Sequence, residues 1–167
     1  MLMCATNDQH RPPNWIQSAS WSSYLTIQGR SVVAQYSGLS KFDDRAKWIK
    51  EVCLDPHQQP QSFDLVIHTR LYSPKAERYV CFSPCGKVIS ASKTRADQLG
   101  TRCSFIELPI PGDSVHVSFQ SSSNSSWFLG FPSEGRHIFS HTMTPCHPSC
   151  SISDRFSSCD FRFATGN

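Results

Sequence analysis

The chain has 167 residues, 38% hydrophobic content and a formal net charge of +3 at pH 7. This length suits one domain with a single hydrophobic core, and the composition excludes a chain that is disordered throughout. No apolar run approaches the roughly 20 residues that a membrane-spanning helix needs, so we expect no membrane insertion.

The amino-terminal residues predict a flexible arm. They contain Arg11, Pro12, Pro13 and several serines without a hydrophobic period. Residues 1–10 also lack the apolar stretch that is typical of a secretory signal peptide. We therefore predict an arm at residues 1–21, one folded domain at 22–163 and a short tail at 164–167.

Short strand patterns follow the arm, separated by Pro, Gly and Ser breakers. The predicted strands are 23–28, 31–36, 46–53, 63–69, 78–83, 86–91, 103–108, 114–120, 126–131, 136–140 and 158–163. Only residues 41–52 compete as a helix. Many short strands without a long helix predict an all-β barrel or sandwich.

One hairpin pattern occurs three times. An aromatic-led strand runs into a Gly followed by a basic residue and then into a second apolar stretch, at 24–32, 79–88 and 127–138. The three copies begin 55 and 48 residues apart. A repeated hairpin favours a closed barrel, because closure removes exposed sheet edges.

Cysteine content and charge are also informative. Eight Cys in a small, loop-rich chain favour an oxidising compartment and disulfides. Residues 1–103 carry 13 Lys and Arg against 8 Asp and Glu, whereas residues 104–167 carry 3 against 5. The basic part is suited to attract a polyanion.

No pattern of catalytic residues is visible. The chain lacks a nucleophile elbow, a phosphate loop and a paired-carboxylate site, so we expect neither an enzyme nor a cofactor. Five carboxy-terminal His and Cys residues match structural zinc spacings poorly, and we expect no metal. They are His141, Cys146, His147, Cys150 and Cys159. Asn124 begins a glycosylation sequon in a serine-rich loop.

The sequence resembles the fibroblast growth factor family. Three segments carry this resemblance: residues 78–89, which contain Tyr-Val-Cys and Cys-Gly-Lys, residues 103–107, which read Cys-Ser-Phe-Ile-Glu, and residues 127–131. It covers about residues 22–140, although the stretch 90–102 is longer than usual in the family. The resemblance implies a β-trefoil of about twelve strands.

The resemblance also implies a disulfide and a secreted protein. In the most similar family members, a disulfide joins the positions of Cys81 and Cys103. Six Cys remain besides this pair, which leaves 15 complete pairings open. We expect that two of Cys146, Cys150 and Cys159 pair with each other.

Receptor contacts are the main functional implication. Members of the family bind the extracellular domains of a receptor tyrosine kinase, and the matching positions here are Tyr24, Glu107, His116 and Arg162. Glu107 is the strongest of these candidates, because a carboxylate accepts charge-assisted hydrogen bonds from a partner.

Heparan sulfate is the second partner that the resemblance implies. The matching positions are Arg30, Arg136, His137, His141 and Arg155. Because His replaces Lys in the second loop, we expect weak heparin affinity that strengthens below about pH 6. We expect no nucleic-acid partner. Two alternatives stay open: a trefoil lectin or cytokine-like binder, and an enzyme or protease inhibitor.

Overall fold

The computed structural model describes residues 3–5, 14–18, 23–35, 43–55, 66–109, 116–130, 139–142 and 160–165. These residues form thirteen strands and one short α-helix. The strands are β1 (Met3–Ala5), β2 (Asn14–Ser18), β3 (Tyr24–Gln28), β4 (Ser31–Gln35), β5 (Ile49–Leu54), β6 (His68–Ser73), β7 (Arg78–Phe82), β8 (Val88–Ala91), β9 (Phe105–Pro109), β10 (His116–Ser121), β11 (Trp127–Gly130), β12 (Phe139–Thr142) and β13 (Asp160–Thr165). The helix, α1, spans Lys93–Leu99.

The predicted strands agree well with the structure. Each of the eleven predicted spans overlaps one of the strands β3 to β13. The segment 41–52, which competed as a helix, instead contains a 3₁₀ turn at Asp44–Ala46 and the first half of β5. Short alternating patterns bounded by turn residues were therefore sufficient to locate most of the sheet.

The amino-terminal region differs from the prediction. Residues 1–21 were expected to form a loose arm, but β1 and β2 lie within them. Ile16 is fully buried in the main core, and β2 pairs with β13 along its whole length. A single Trp-Ile pair among prolines and serines is too short to produce a readable period. Strand β13 also runs to Thr165, past the predicted boundary at residue 163.

The strands form a β-trefoil. Hydrogen-bonded pairing runs through β5, β6, β9, β10, β13 and β2, and the hairpins β3–β4, β7–β8 and β11–β12 extend from these strands. The chain thus divides into three four-strand units, β2–β5, β6–β9 and β10–β13. Each unit contains one copy of the hairpin that the sequence repeats.

The turns of the first two hairpins each contain a glycine in the left-handed region. Gly29 and Gly86 both have positive φ, at 62° and 84°. Only Gly86 is also closely packed, because a Cβ atom there would lie 3.0 Å from the ring of Trp127. Gly86 therefore lets the second hairpin turn approach the third unit of the trefoil.

The main core draws residues from all three units. Its fully buried aromatic side chains include Trp48, Phe82, Phe105 and Phe119. The ring centroids of Phe82 and Phe105 lie 5.8 Å apart, and those of Phe105 and Phe119 lie 6.0 Å apart in an edge-to-face arrangement. These distances are typical of favourable aromatic pairs.

A second buried cluster lies outside the main core, under α1. It contains Tyr79 and Cys81 of β7 together with Ala91, Ala96 and Cys103. The alternate residues of β7, Val80 and Phe82, belong to the main core. Strand β7 is therefore buried on both faces.

Helix α1 occupies the long segment 90–102, for which no helix was predicted. Ser92 caps it by accepting a hydrogen bond from the Arg95 backbone N–H at 3.4 Å, and Gly100 ends it with a φ of 59°. A serine cap, a run of good helix formers and a terminal glycine are a readable signal. The helix was missed because it is only two turns long.

Candidate functional site

Three of the four predicted receptor residues lie in one row of the backbone register. The strand register pairs His116 of β10 with Arg162 of β13, Arg162 with Gln17 of β2, and Gln17 with Tyr24 of β3. Residues directly opposite each other on paired strands share a face of the sheet. We call His116, Arg162, Gln17 and Tyr24 the outer row.

The neighbours of the row fix the face on which it lies. Leu25 is fully buried in the main core, as is Ile16, and Val117 packs against that core. Because successive strand residues point to opposite faces, Tyr24, Gln17 and His116 lie on the face away from the core. All three are half-buried. The outer row thus crosses four strands, and Tyr24, Gln17 and His116 are its members with described side chains.

Glu107, the strongest candidate from the sequence, is not part of this row. It pairs in register with Phe119, whose side chain is fully buried, so Glu107 lies on the inner face near the end of the barrel. Its side chain is 25% exposed and its Oε1 atom lies 2.8 Å from Lys50 Nζ. That buried oxygen has an ion-pair partner but no hydrogen bond within the described residues.

A cleft of about 400 Å³ opens beside Glu107. Its walls are formed by Val66, Ile67, Thr69 and Ile106, and the side chain of Ile67 is 49% exposed. The cleft therefore combines apolar walls with a carboxylate whose charge Lys50 already balances. A partner that contacted both Glu107 and the outer row would have to wrap around the sheet.

A polar network joins α1 to the barrel. The Tyr79 hydroxyl donates a hydrogen bond to the buried Glu51 carboxylate at 2.7 Å, and the Arg70 guanidinium lies 4.8 Å from the centre of the Tyr79 ring. Arg70 also forms an ion pair with Asp97 of α1 at 3.1 Å. Burial and the hydrogen bond to Glu51 together raise the pKa of the Tyr79 phenol.

This raised pKa predicts a loss of stability in alkali. An unfolded tyrosine ionises near pH 10, whereas Tyr79 in the folded state stays protonated to higher pH. Its contribution is therefore fully present below pH 10 and is lost as the pH rises above that value. Between pH 8 and pH 10.5, we expect wild type to lose about 1 kcal/mol more unfolding free energy than Tyr79→Phe in urea titrations.

Tyr24→Phe is the matched control for this measurement. Tyr24 lies on the outer row, away from the buried network, so its phenylalanine variant should lose stability in alkali just as wild type does. An equal alkaline loss in wild type and Tyr79→Phe would contradict the assignment to Tyr79.

Most of the predicted heparan sulfate residues lie outside the described residues. These are Arg136, His137 and Arg155. The backbone of His141 is in β12, opposite Phe128. Arg30 is exposed at the β3–β4 turn, where the prediction placed it.

Asn124 of the sequon lies in the turn between β10 and β11. Its side-chain Oδ1 accepts a hydrogen bond from the Ser126 backbone N–H at 2.9 Å, and its backbone carbonyl accepts one from Trp127 at 3.0 Å. Asn124 is half-buried in this turn. Glycosylation at this position stays a prediction.

Two disulfides are present among the described residues. One joins Cys81 and Cys103, the pair that the resemblance implied. The other joins Cys4 of β1 to Cys53 of β5, one of the many pairings that the sequence left open. Cys85 is an exposed free thiol. The pairing expected among Cys146, Cys150 and Cys159 lies outside the described residues. Of the five candidate zinc ligands, only the backbone of His141 is described.

Two features are absent from the described part of the chain. It contains no group of three or more His, Cys, Asp or Glu side chains that could hold a metal ion. It also contains no helix of the length and hydropathy required to cross a membrane.

Sequence reasoning missed several residues of these sites. Gln17 lies in a segment that was predicted to be an arm, although it connects Tyr24 to Arg162 in the outer row. Lys50 gave no signal, since its partner Glu107 is 57 positions away in the sequence. Which residues become neighbours on adjacent strands depends on the register of strand pairing. A single sequence with irregular loops does not specify that register.

Comparison with known proteins shows the fold. The structure is similar to two mutants of Gallus interleukin-1, with TM-scores of 0.68 and 0.66 and sequence identities of 12% and 11%, over 98% of this chain and 99% of each of theirs. A crystal structure of the chicken cytokine interleukin-1 beta matches with a TM-score of 0.63 and 14% identity, over 99% of this chain and 100% of that one. No protein-family model and no curated protein matches the sequence. At these identities the likeness shows a shared β-trefoil fold.

Proposed function

We propose that this chain is an extracellular protein ligand that binds the ectodomain of a cell-surface receptor through its outer row. The observation that carries this proposal is the register that joins His116, Arg162 and Tyr24. A motif-based resemblance selected these residues from three separate strands, and they occupy one row of the strand register together with Gln17. Two disulfides are consistent with an oxidising, extracellular location.

The finer form of the proposal is binding and activation of a fibroblast growth factor receptor tyrosine kinase. Glu107 would provide a second contact, at the cleft rather than in the outer row. Heparan sulfate would act as a weak co-ligand whose binding through carboxy-terminal histidines strengthens at acidic pH. The protein would act by binding alone, without enzymatic activity.

A second candidate function is a cytokine-like ligand that activates no receptor kinase. The structural neighbours favour this candidate, because they are forms of interleukin-1 and one of them is the chicken cytokine interleukin-1 beta. Both candidates use the same fold, and a fold does not by itself determine a partner. They differ in which receptor responds.

Titration against fibroblast growth factor receptor ectodomains tests the proposal. We expect Tyr24→Ala and Glu107→Ala each to weaken binding about ten-fold or more, because truncating a central interface residue removes well-packed, desolvated contacts. Glu77→Ala is the control for lost charge, since Glu77 is exposed in the β6–β7 turn. Tyr24→Phe is the control for lost ring area.

The outcomes separate the two candidates. Wild-type affinity in both alanine variants would show that the assigned surface is wrong. If the wild-type protein bound no fibroblast growth factor receptor and caused no receptor phosphorylation, yet bound cells through Tyr24, the cytokine-like candidate would hold.

A further inference from the structure

Strand β1 is an addition to the trefoil. The three four-strand units account for β2 to β13, and β1 lies outside them. Within the described residues, β5 is the one strand to which β1 pairs. The registered partners are Met3 with Leu54, Cys4 with Cys53 and Ala5 with Val52. Strand β1 therefore covers one edge of β5, whose other edge is paired with β6.

This backbone pairing is too short to keep β1 in place on its own. Even a longer two-stranded ribbon is only marginally stable in water, and such peripheral segments open locally at a small cost in free energy. A disulfide joins Cys4 to Cys53, which are the central residues of the pairing. The covalent bond thus supplies the link that a three-residue strand lacks.

The two described disulfides differ in their access to solvent. Cys81 and Cys103 are both fully buried, in the second cluster under α1. Cys53 is also fully buried, whereas Cys4 is half-buried. Thiol–disulfide exchange requires a thiolate to reach a sulfur atom, so access limits its rate. A reductant can therefore approach Cys4 in the folded protein, but it reaches the other disulfide only after the second cluster opens.

We propose that the Cys4–Cys53 disulfide is a redox-sensitive tether, whose reduction releases β1 while the Cys81–Cys103 disulfide stays intact. A thiolate of a dithiol reductant attacks Cys4 Sγ and forms a mixed disulfide with it, and the bond to Cys53 breaks. Cys53 leaves as a thiolate and takes a proton from water. The second thiol of the reductant loses its proton to water and attacks the mixed disulfide.

This second attack completes the reaction. The reductant closes its own disulfide, and Cys4 leaves as a thiolate that is protonated by water. The dithiol is oxidised and the Cys4–Cys53 disulfide is reduced, so two electrons and, in net terms, two protons pass to the protein. The inference does not depend on which receptor the chain binds.

Release of β1 changes the surface of β5. The backbone groups of residues 52–54 that face β1 lose their partners and become an open sheet edge, which is free to pair with another extended chain. Leu54, whose side chain is already 45% exposed, loses its cross-strand neighbour Met3. Strand β5 keeps its pairing with β6, so the trefoil itself is retained.

Reduction of the whole chain with dithiothreitol at neutral pH tests the selectivity. Samples are quenched with an alkylating reagent at intervals, and peptide mapping by mass spectrometry gives a rate for each cysteine. We expect Cys4 and Cys53 to become alkylated at least about ten-fold faster than Cys81 and Cys103, which must wait for local opening. Cys85 is exposed and free, so it should react before any reductant is added and thereby verify the reagent.

Hydrogen exchange measures the release of β1. After selective reduction, we expect the amides of residues 52–54 to exchange about ten-fold faster or more, while those of the buried strand β7 stay unchanged. The variant Cys4→Ser should show the same fast exchange without a reductant. Cys85→Ser is the matched control, because it replaces an exposed cysteine outside the tether, and it should exchange as wild type does.

Three results would overturn the inference. Equal reduction rates for the two disulfides would show that burial does not distinguish them. Unchanged exchange at residues 52–54 after reduction of wild type would show that β1 stays paired without the bond. Loss of protection throughout β7 on selective reduction would make the bond a requirement of the whole fold. None of these measurements involves a receptor, so failure of the proposed function would leave them unaltered.

Discussion

Replacing both Cys81 and Cys103 with alanine is expected to lower the free energy of unfolding by at least about 3 kcal/mol. The two residues are 22 positions apart, and their disulfide closes a loop that contains β8 and α1. In the chain-entropy model, a loop of this length accounts for roughly 3 kcal/mol. Both cysteines are fully buried, so the loss of their sulfur atoms adds a packing cost.

Urea unfolding at neutral pH measures this loss, with Cys85→Ala as the control. Cys85 is exposed and free, so its replacement should change stability by less than about 0.5 kcal/mol. Wild-type stability of the double variant would mean that the second buried cluster holds α1 without a covalent bond. Far-ultraviolet circular dichroism would then show whether the fold had also been kept.

Replacing Trp48 with alanine is expected to cost about 3–5 kcal/mol. Trp48 is a fully buried residue of the main core, immediately before β5. Its indole Nε1 donates a hydrogen bond to the Leu25 carbonyl of β3 at 2.9 Å. The side chain therefore joins the start of β5 to β3 by both packing and a directed hydrogen bond.

Trp48→Phe separates these two contributions. It keeps an aromatic ring in the core but leaves the Leu25 carbonyl without its indole donor. We expect a cost smaller than that of alanine, of about 1–3 kcal/mol. Chemical denaturation of both variants measures the difference. Equal costs would contradict a large packing contribution and assign the loss to the indole hydrogen bond, which both variants lack.

The sequence was informative where structure is local. Alternation within β3 and β10, the apolar run of β7 and the breakers between the strands located the sheet, and the hairpin repeat indicated threefold closure. Strand β2 was missed because Trp15 and Ile16 are its only strongly apolar residues and their burial depends on β13, which lies about 145 positions later. Its pairing is a tertiary effect that overrides local composition.

Register was the property that the sequence could not supply. The motif that contains Glu107 and the strand that contains His116 were both identified, yet their side chains lie on opposite faces of the sheet. A shift of one residue would exchange the two faces. The Cys4–Cys53 bond depends on the same information, because it joins residues that β1 and β5 place directly opposite each other.

Strand β7 explains why a motif match can indicate the fold of this chain without indicating its partner. The motif is centred on Tyr79, Val80, Cys81 and Phe82, and β7 has no solvent-facing side that could vary freely. Such a strand tolerates few substitutions, whichever partner the protein binds. Sequence similarity in this strand therefore reflects the requirements of folding. Evidence for a partner must come instead from positions that packing leaves free to change, such as Tyr24 and Lys93.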